Sequence, residues 1–598
     1  MLKRTHMCGA LRASDAGQVA TLCGWVNTYR DQGKGLVFID LRDRTGITQV
    51  VFDQEDVPDE VMEPARGLRR ESVIAVSGPV RMRDGGSNPK MATGEIELVG
   101  AKLEILNATE NPPILPDEHE AQKIDEEVRL RHRYIDLRRP RMQSILGLRS
   151  DVARYTRNFF AENGFLEVET PLLIRSTPEG ARDFIVPSRM YPGQWYALPQ
   201  SPQLFKQILM VSGCDRYMQI CKCLRDEDPR ADRQAEFTQV DLEMSFVDQD
   251  DVMDIMSEYA TGLFKEFKGI DLGDIPRMSY EEAMNRYGSD RPDLRFDLPI
   301  EDVSSIAANT DFKVFTGALE REDGVVKAMR IPGGAERLTR KMLDGYGEYA
   351  KSWRTGGLPY VKYTGAGDHG GFETGVAKFL APIADDLVSA LGLETGDVVL
   401  FTADTRSVAC TAMGHVRLKV AGDLDLIDGD AWSPLWVIDF PMFEWDEESK
   451  RYISLHHPFS APKEDEVAKL DSDPANCISA CYDLVINGSE VGGGSVRIHQ
   501  PAVQAKVFEL IGLDENEARE KFGFLLEALK YGAPPHGGIA FGLDRLVMLL
   551  HGTDNIRDVI AFPKTQHGSD LMCEAPGPVD EAQLTDLGLR VEVHQSED

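Results

Sequence analysis

Three segments of the chain stand out, and two of them combine residue types able to hold a polyanion. Leu224-Arg225-Asp226-Glu227 ends one β-rich run, a charged loop follows, and Glu236-Phe237-Thr238-Gln239 opens the next. An arginine in that place can bond a phosphate through its planar fork. A phenylalanine on the returning strand can offer a ring face to a nucleobase. The pair suits a nucleoside triphosphate, and a salt-bridged surface hairpin has the same pattern. In Gly537-Gly538-Ile539-Ala540-Phe541-Gly542-Leu543-Asp544-Arg545, glycine and apolar residues precede a charged pair that opens the helical run LVMLLHG. Glycine lets the backbone approach a ligand closely, and Arg545 near a helix start would face anions. A tight strand-to-helix junction is the other reading. The third segment, Gly164-Phe165-Leu166-Glu167-Val168-Glu169-Thr170-Pro171, is a helix–glycine–strand–proline succession that says little alone.

The elements around these segments set where they can stand. Residues 1–107 contain five short β-rich runs, QVATLCGWV, GLVFIDLRD, ITQVVFD, SVIAVSGPVRMR and EIELVGAKLEIL. Several alternate apolar and polar positions as half-buried strands do. DVPDEVMEPARGLRR, between the third and fourth, reads as a helix. Five strands with a helix after the third predict an OB-fold barrel, and another small β-barrel also fits. NATENPPILPDEHE is a Pro- and acid-rich linker. EEVRLRHRYIDLRRPRM is either a solvated helix face or a hinge that touches phosphate through Arg129, Arg131, Arg133, Arg138 and Arg139. MQSILGLRSDVARYTRNFFAENG has helical spacing and ends at Gly164. Helices and strands mix up to about 295. Residues 296–430 have more glycine and fewer aromatics, and the β-rich, Gly-rich character of the middle region resumes at 431. The pattern is that of a domain interrupted by an insertion.

Composition narrows the function classes. A chain of 598 residues calls for three or four domains, and 42% hydrophobic content is enough for buried cores. No apolar run approaches the ~18–20 residues of a membrane helix. The start MLKRTHMCGA has no apolar stretch behind it and is not expected to act as a secretory signal. Nine scattered cysteines, with a C-x-C at Cys221 and Cys223 but no C-x-x-C, argue against a disulfide framework and against structural zinc, and for a reducing cytoplasm. A net charge of −33 speaks against a nucleic-acid partner, which needs a basic footprint. Residues 1–150, however, hold 22 basic and 23 acidic side chains, so the deficit lies in the other 448. A nucleic acid would be met by the first quarter.

Taken in order, the three segments resemble the signature motifs of class II aminoacyl-tRNA synthetases. TPEGARDF (177–184), ALPQSPQLFKQ (197–207), RDEDPRADRQ (225–234), INGSEVGGGSVR (486–497) and FGLDR (541–545) resemble the bacterial-type aspartyl-tRNA synthetase family, and the likeness runs over nearly the whole chain. The resemblance implies an α+β multidomain protein. An N-terminal OB-fold barrel (1–107) would bind the anticodon and a hinge (108–140) would follow. A catalytic antiparallel sheet flanked by helices would come in two parts, 141–295 with the first two motifs and 431–564 with the third. An inserted α+β domain (296–430) and a C-terminal extension (565–598) complete the chain. A cytoplasmic homodimer with no membrane association is implied. Its substrates would be L-aspartate, ATP and tRNA(Asp), with Mg2+ as the metal and no zinc.

The resemblance also assigns roles. Lys206 and Arg497 would meet the aspartate side-chain carboxylate, which must be paired once removed from water. They would reject asparagine, whose amide cannot pair with two cations. Asp241, Ser201 and Gln203 would hold the ammonium group. Glu179 lies in one closing loop, and His456, beside His457, would touch aspartate from a second. Arg225 and Arg545 are the catalytic candidates, at the α- and γ-phosphates, and Arg225 would also touch aspartate. Glu227 and Phe237 would recognise adenine and Gln234 would add a contact; Asp226, Gly542, Leu543 and Asp544 complete the ATP set. Asp483 and Glu490 would hold Mg2+, a hard ion suited to oxygen ligands, and Glu490 would reach the nucleotide as well.

In the barrel, Phe38 would stack on an anticodon base, or belong to the core as alternate strand residues usually do, and Arg30, Gln49 and Glu97 would read the loop. There are departures from the family pattern. Leu224 stands where the family has an aromatic, Thr28 where many members have Arg, and Lys34-Gly35 lengthens the first barrel loop. Gln32 and Gly86 occupy positions that vary with tRNA choice, and they extend the expected substrates to tRNA(Asn). Lysyl and asparaginyl relatives share the layout, and a nucleic-acid-binding module with an inactive synthetase-like domain would share it too. Lys206 with Arg497 argues against the first, and intact Arg225, Asp483, Glu490 and Arg545 against the second.

Overall fold

The computed structural model describes residues 1–177, 181–228 and 233–592. They divide into two compact units: Met1–Asp151 with Asp228–Gln234 and Thr553–Val579, and Val152–Glu227 with Ala235–Gly552 and Asp580–Asp598.

In the first unit the long strand Val19–Asp31 pairs on one side with Leu36–Asp43 and on the other with Val73–Met82, which closes a barrel. Closure leaves no free edge at this strand. Its alternate residues Ala20, Leu22 and Val26 point inward and meet Ile39, Leu41, Val50 and Phe52. The expected helix after the third strand is Asp59–Arg66, which buries Met62 and Ala65. The fifth expected strand is two, Ile96–Val99 and Lys102–Asn107. The break falls at Gly100, where a Cβ would overlap the Phe52 ring.

The segment after the barrel forms short helices, Glu118–Ala121, Glu126–Arg131 and Arg133–Asp136. Here the expectation of a basic path fails in part. Arg133 is buried, pairs with Asp136 at 2.7 Å and donates to the carbonyls of Arg557, Ile560 and Ala561. Arg139 is buried against Asp136 and Glu118, and Arg138 pairs with Glu71 at 2.9 Å over the Trp25 ring. These guanidinium groups are spent on internal acceptors, so they staple the hinge instead of forming an open cationic track.

The second unit is built on an eight-stranded sheet. Its order is Arg277–Ser279, Pro434–Ile438, Cys481–Ile486, Ser489–Val496, His536–Gly542, Glu236–Ser245, Arg216–Leu224, Leu166–Glu167. The six central strands are antiparallel, as expected, but both edge pairings are parallel. Each edge strand is followed by a crossover long enough for a parallel return. Helix Gln249–Lys268 lies against the sheet through Val252, Met256, Tyr259 and Leu263; an Asp248 capping box starts it and left-handed Gly269 stops it.

A separate five-stranded sheet lies within the expected insertion, in the order Ile300–Asp302, Gly324–Ile331, Val398–Thr405, Tyr360–Tyr363, Phe372–Glu373. Along Gly324–Ile331, Val326 and Ala328 face one apolar cluster, and Met329 and Ile331 another. Both faces are therefore covered. Among the described residues no helix is long and apolar enough to cross a membrane.

Candidate active site

The chemistry of the second unit gathers on four adjacent central strands and the helix Gln203–Val211. Asp241 and Glu243 lie two apart on Glu236–Ser245, so strand alternation puts both on one face. Lys206, on the helix packed there, is 2% exposed and reaches Asp241 at 2.8 Å and Glu243 at 3.4 Å. Arg497 follows Ser489–Val496. Its Nε and Nη2 donate to Glu243 at 2.9 and 3.2 Å, its Nη1 to Ser495 Oγ and His457 Nε2, and its Nη2 also to the Gly538 carbonyl. All five guanidinium N–H groups are used. Two buried cations therefore share two buried carboxylates.

Burial pushes both carboxyls up. At Glu243 the charges of Arg497 and Lys206 outweigh it and hold the group below the usual range, whereas Asp241 stays above it. His457 is held well below an ordinary histidine by burial and by Arg497, so it is neutral and can accept from the guanidinium. His456, which the sequence singled out, is not the histidine on Arg497. It lies edge-on to Phe440 at 4.7 Å, is pushed down to about 4 by burial, and feels the charges of Glu490 and Arg497.

Arg225 begins the loop after Arg216–Leu224, tied by its N–H to the Ala235 carbonyl, with its guanidinium 5.2 Å from the Phe237 ring. Asp226 is tied to Arg182, and Glu227 is exposed beside it. Gly542 caps helix Leu543–His551. Asp544 accepts from the Thr238 N–H at 2.8 Å, which pins that helix to the central strand. Arg545 donates to the Glu490 carbonyl at 2.5 Å and lies 3.9 Å from its carboxylate. Gln234 belongs to the first unit, where its Oε1 accepts from the Lys564 N–H. Glu179 lies outside the described residues.

Asp483, 7% exposed, faces Gly493 across the sheet. A Cβ on Gly493 would come within 2.5 Å of Asp483 Oδ1 and 3.5 Å of Glu490 Oε1, so both oxygens border the space that the glycine leaves open. The Asp483 carboxyl is raised well above its usual range by burial and by the charges of Glu490 and Asp290. Such a group ionises readily only beside a cation. Oxygen donors of this kind fit Mg2+.

Buried polar groups normally have partners, so exceptions mark places meant for something else. Among the described residues, Gln203 Nε2, Arg225 Nε, Asp241 Oδ1, His456 Nε2 and Asp483 Oδ1 are buried without a hydrogen-bond partner. These, with Gln234 Nε2, belong to residues chosen from the sequence; others among the described residues, such as Trp353 Nε1, Ser454 Oγ and Gln504 Oε1, do not. Ser201 Oγ accepts from the Gln203 N–H at 3.4 Å at the helix start. Sequence reasoning missed Glu243 and Ser495, and Glu243 could have been found from the Asp-Leu-Glu alternation once Asp241 was fixed.

Comparison with known proteins places the chain in a family. Residues 125–566 match the family described as tRNA synthetases class II (D, K and N), and residues 20–106 match the OB-fold nucleic acid binding domain. The chain belongs to the class II tRNA synthetases of the D, K and N group. It is 51% identical to the aspartate–tRNA(Asp/Asn) ligase of Syntrophotalea carbinolica over 98% of both chains. It is 49% identical to the protein of the same name from Caldanaerobacter subterraneus subsp. tengcongensis over 99% of both. The solved asparaginyl-tRNA synthetase of Pyrococcus horikoshii complexed with asparaginyl-adenylate superposes with a TM-score of 0.58 at 19% identity, covering 94% of this chain and 99% of that one, a likeness of fold.

The barrel of this class II synthetase carries a second constellation. A pocket of about 460 Å³ is lined by Arg30, Gln32, Phe38, Gln49, Arg83 and Glu97, among others. Arg30 grips Asp40 through two bonds of 2.9 and 3.0 Å. Gln49 donates to Glu97 at 2.7 Å and accepts from Arg30 and Arg83. Phe38 is only partly buried, packed on the core from the pocket side. Gly86 sits beyond Arg83 in a turn, at φ 80°. Arg81, which holds Glu97 at 2.9 Å, and Arg83 were not picked out from the sequence.

Proposed function

We propose that this synthetase activates L-aspartate with ATP to aspartyl-adenylate and transfers the aspartyl group to the 3′ end of tRNA(Asp) and tRNA(Asn). The observation that carries the amino-acid choice is the buried pair Lys206 and Arg497, oriented by Asp241 and Glu243. Two fixed cations favour a side-chain carboxylate over an amide. Asp241 Oδ1 and Gln203 Nε2 lack protein partners, and Oδ1 can accept from an ammonium group. The names of the two relatives support both the amino acid and the two tRNAs.

The α-carboxylate of aspartate, already ionised, attacks the α-phosphorus of ATP and pyrophosphate departs. The terminal tRNA hydroxyl then attacks the activated carbonyl and AMP departs. The protein's part is positioning and charge neutralisation. Arg225 supplies N–H donors where charge grows on the α-phosphate, Phe237 supports the adenine, and Arg545 at a helix start meets the far phosphates. Asp483 and Glu490 would hold Mg2+, which supplies charge neutralisation at the triphosphate. The barrel pocket with Phe38, Gln49 and Arg30 is assigned to the anticodon. Leu166, Leu172 and Leu173 are more than half exposed, which supports burial in a homodimer. The cytoplasm is the assigned compartment.

Aspartate-dependent pyrophosphate–ATP exchange tests the first step, with asparagine and lysine as controls; exchange with either control and none with aspartate would overturn it. Charging of a tRNA(Asn) transcript at background rate would remove that substrate.

A further inference from the structure

The first unit has a second pocket, of about 380 Å³, that the proposed reaction does not use. Arg4, Arg42, Arg44 and Arg138 line it, with the Trp25 ring and one acid, Asp43. Residues 2–9 are tied down beside it. The Thr5 and His6 N–H groups donate to the Thr21 carbonyl, the Cys8 N–H to Asp43 at 2.7 Å, and the Gly9 N–H to Thr45 Oγ1 at 3.0 Å. A Cβ on Gly9 would overlap the Thr45 carbonyl, so this arm lies directly on the turn that joins Leu36–Asp43 to Gly46–Asp53. Arg4 belongs to the arm and Arg44 to the turn, and these contacts bring both to one pocket.

The four guanidinium groups are not equivalent. Arg42 is buried and grips Glu71 at 2.8 and 2.9 Å. Arg138 takes the same carboxylate at 2.9 Å and lies 5.1 Å from the Trp25 ring. One carboxylate thus serves two cations. Asp43 spends its oxygens on neutral donors, the Cys8 N–H and the N–H and hydroxyl of Thr45, the last two at 2.8 and 2.7 Å. Arg4 and Arg44 are exposed, and among the described residues neither guanidinium donates a hydrogen bond or pairs with a carboxylate. Four positive charges therefore meet two negative ones, Asp43 and Glu71, and the surplus lies on the two side chains that can turn towards a ligand. The fork of an arginine matches a phosphate.

This pocket continues the face that carries the anticodon candidates. Along Leu36–Asp43, Val37, Ile39 and Leu41 enter the core, so Phe38, Asp40 and Arg42 share the outer side. Phe38 lines one pocket and Arg42 the other. At a strand rise of ~3.3 Å per residue the two positions stand about 13 Å apart. A nucleic-acid strand, advancing ~3.4 Å per nucleotide, covers that distance in about four nucleotides. We propose that Arg4 and Arg44 clamp a backbone phosphate of the bound tRNA a few nucleotides from the anticodon, against a wall made by Arg42, Arg138 and Trp25. The proposal rests on the assignment of the Phe38 pocket to the anticodon. A phosphate contact fixes register and carries no base information, so it serves tRNA(Asp) and tRNA(Asn) alike.

The test is binding of the full-length protein to a fluorescent tRNA(Asp) transcript between roughly 50 and 200 mM salt. Arg4→Ala combined with Arg44→Ala should weaken binding about tenfold at the low-salt end and flatten the slope of log Kd against log salt by about one unit. Arg4→Lys with Arg44→Lys keeps the charges and should keep most of the slope. A transcript with a changed anticodon should lose the same factor to the alanine pair, because every sequence has the phosphate. Both positions are exposed, so the melting temperature should stay at the parent value, which separates a lost contact from a lost fold. Parent-like affinity and slope in the alanine pair overturn the proposal. A loss confined to the cognate anticodon overturns it too, since it would make these arginines base readers. If the parent binds no tRNA(Asp), or if Phe38→Ala binds it as the parent does, the assignment of the barrel pocket to the anticodon falls and this proposal with it.

Discussion

Glu243 holds Arg497 by two bonds, 2.9 Å to Nε and 3.2 Å to Nη2, in a place that solvent does not reach. The guanidinium proposed to recognise a substrate carboxylate is thus aimed by a carboxylate of the protein itself. Breaking a buried ion pair from one side strands the other charge, at a cost of about 3–5 kcal/mol. Glu243→Ala should lose that much stability in urea unfolding. Glu243→Gln should retain part of it and raise KM for aspartate more than KM for ATP.

Arg225 has a buried Nε without a partner and a guanidinium over Phe237. Removing one donor to a developing oxyanion costs about 2.7–4 kcal/mol. Arg225→Ala should therefore lower aspartate-dependent pyrophosphate exchange by two to three orders of magnitude. Near-parent exchange would remove Arg225 from the first step.

Gly493→Ala tests the cation cradle. The added methyl would come within 2.5 Å of Asp483 Oδ1. The Mg2+ concentration for half-maximal exchange should rise at least tenfold, with little change in aspartate affinity. An unchanged Mg2+ dependence would place the metal elsewhere.

The histidine pair sets a pH dependence. His456 is held down to about 4 in the folded chain, against 6.5 ordinarily, and His457 is also well below. The unfolded chain binds protons first, so the stabilisation is full above 6.5 and is lost as pH falls from there towards 4. Between pH 6.5 and 5 the share of His456 is about 2 kcal/mol. Asp241, held above its usual range, works in the opposite direction. The informative measurement is therefore a difference: unfolding of His456→Gln should be less sensitive to pH over this range than unfolding of the parent. Identical slopes would mean that His456 is not kept neutral by the fold.

In the barrel, base stacking on an aromatic ring is worth about 1–3 kcal/mol. Phe38→Ala should raise KM for tRNA between five- and a hundredfold and leave pyrophosphate exchange intact. If both steps fall together, Phe38 is a core residue.

Much of this was legible in the sequence because strand alternation and motif order act locally. The barrel runs, the helix ending at Gly164, and several residues with partnerless atoms, Gln203, Arg225, Asp241 and Asp483 among them, follow from short segments. What escaped depends on contacts between distant positions. Arg133 and Arg139 look like an open basic track until Asp136, Glu118 and the carbonyls near residue 560 fold onto them. Gly100 looks like part of one strand until Phe52 occupies the space beside it. Glu243 matters only once Arg497, 254 positions along the chain, reaches it, and Ser495, two residues before Arg497, matters only through the guanidinium placed there.

The full occupancy of Arg497's five donors has a kinetic side. An incoming carboxylate would find no vacant N–H on that guanidinium, so it would have to displace a partner, and His457, Ser495 and the Gly538 carbonyl, all uncharged, are weaker charge matches than Glu243. Capture then proceeds by exchange. Its rate would be set by how often one of these neutral partners lets go, and long-range attraction to the pocket, whose two cations are already matched by two carboxylates, would contribute little.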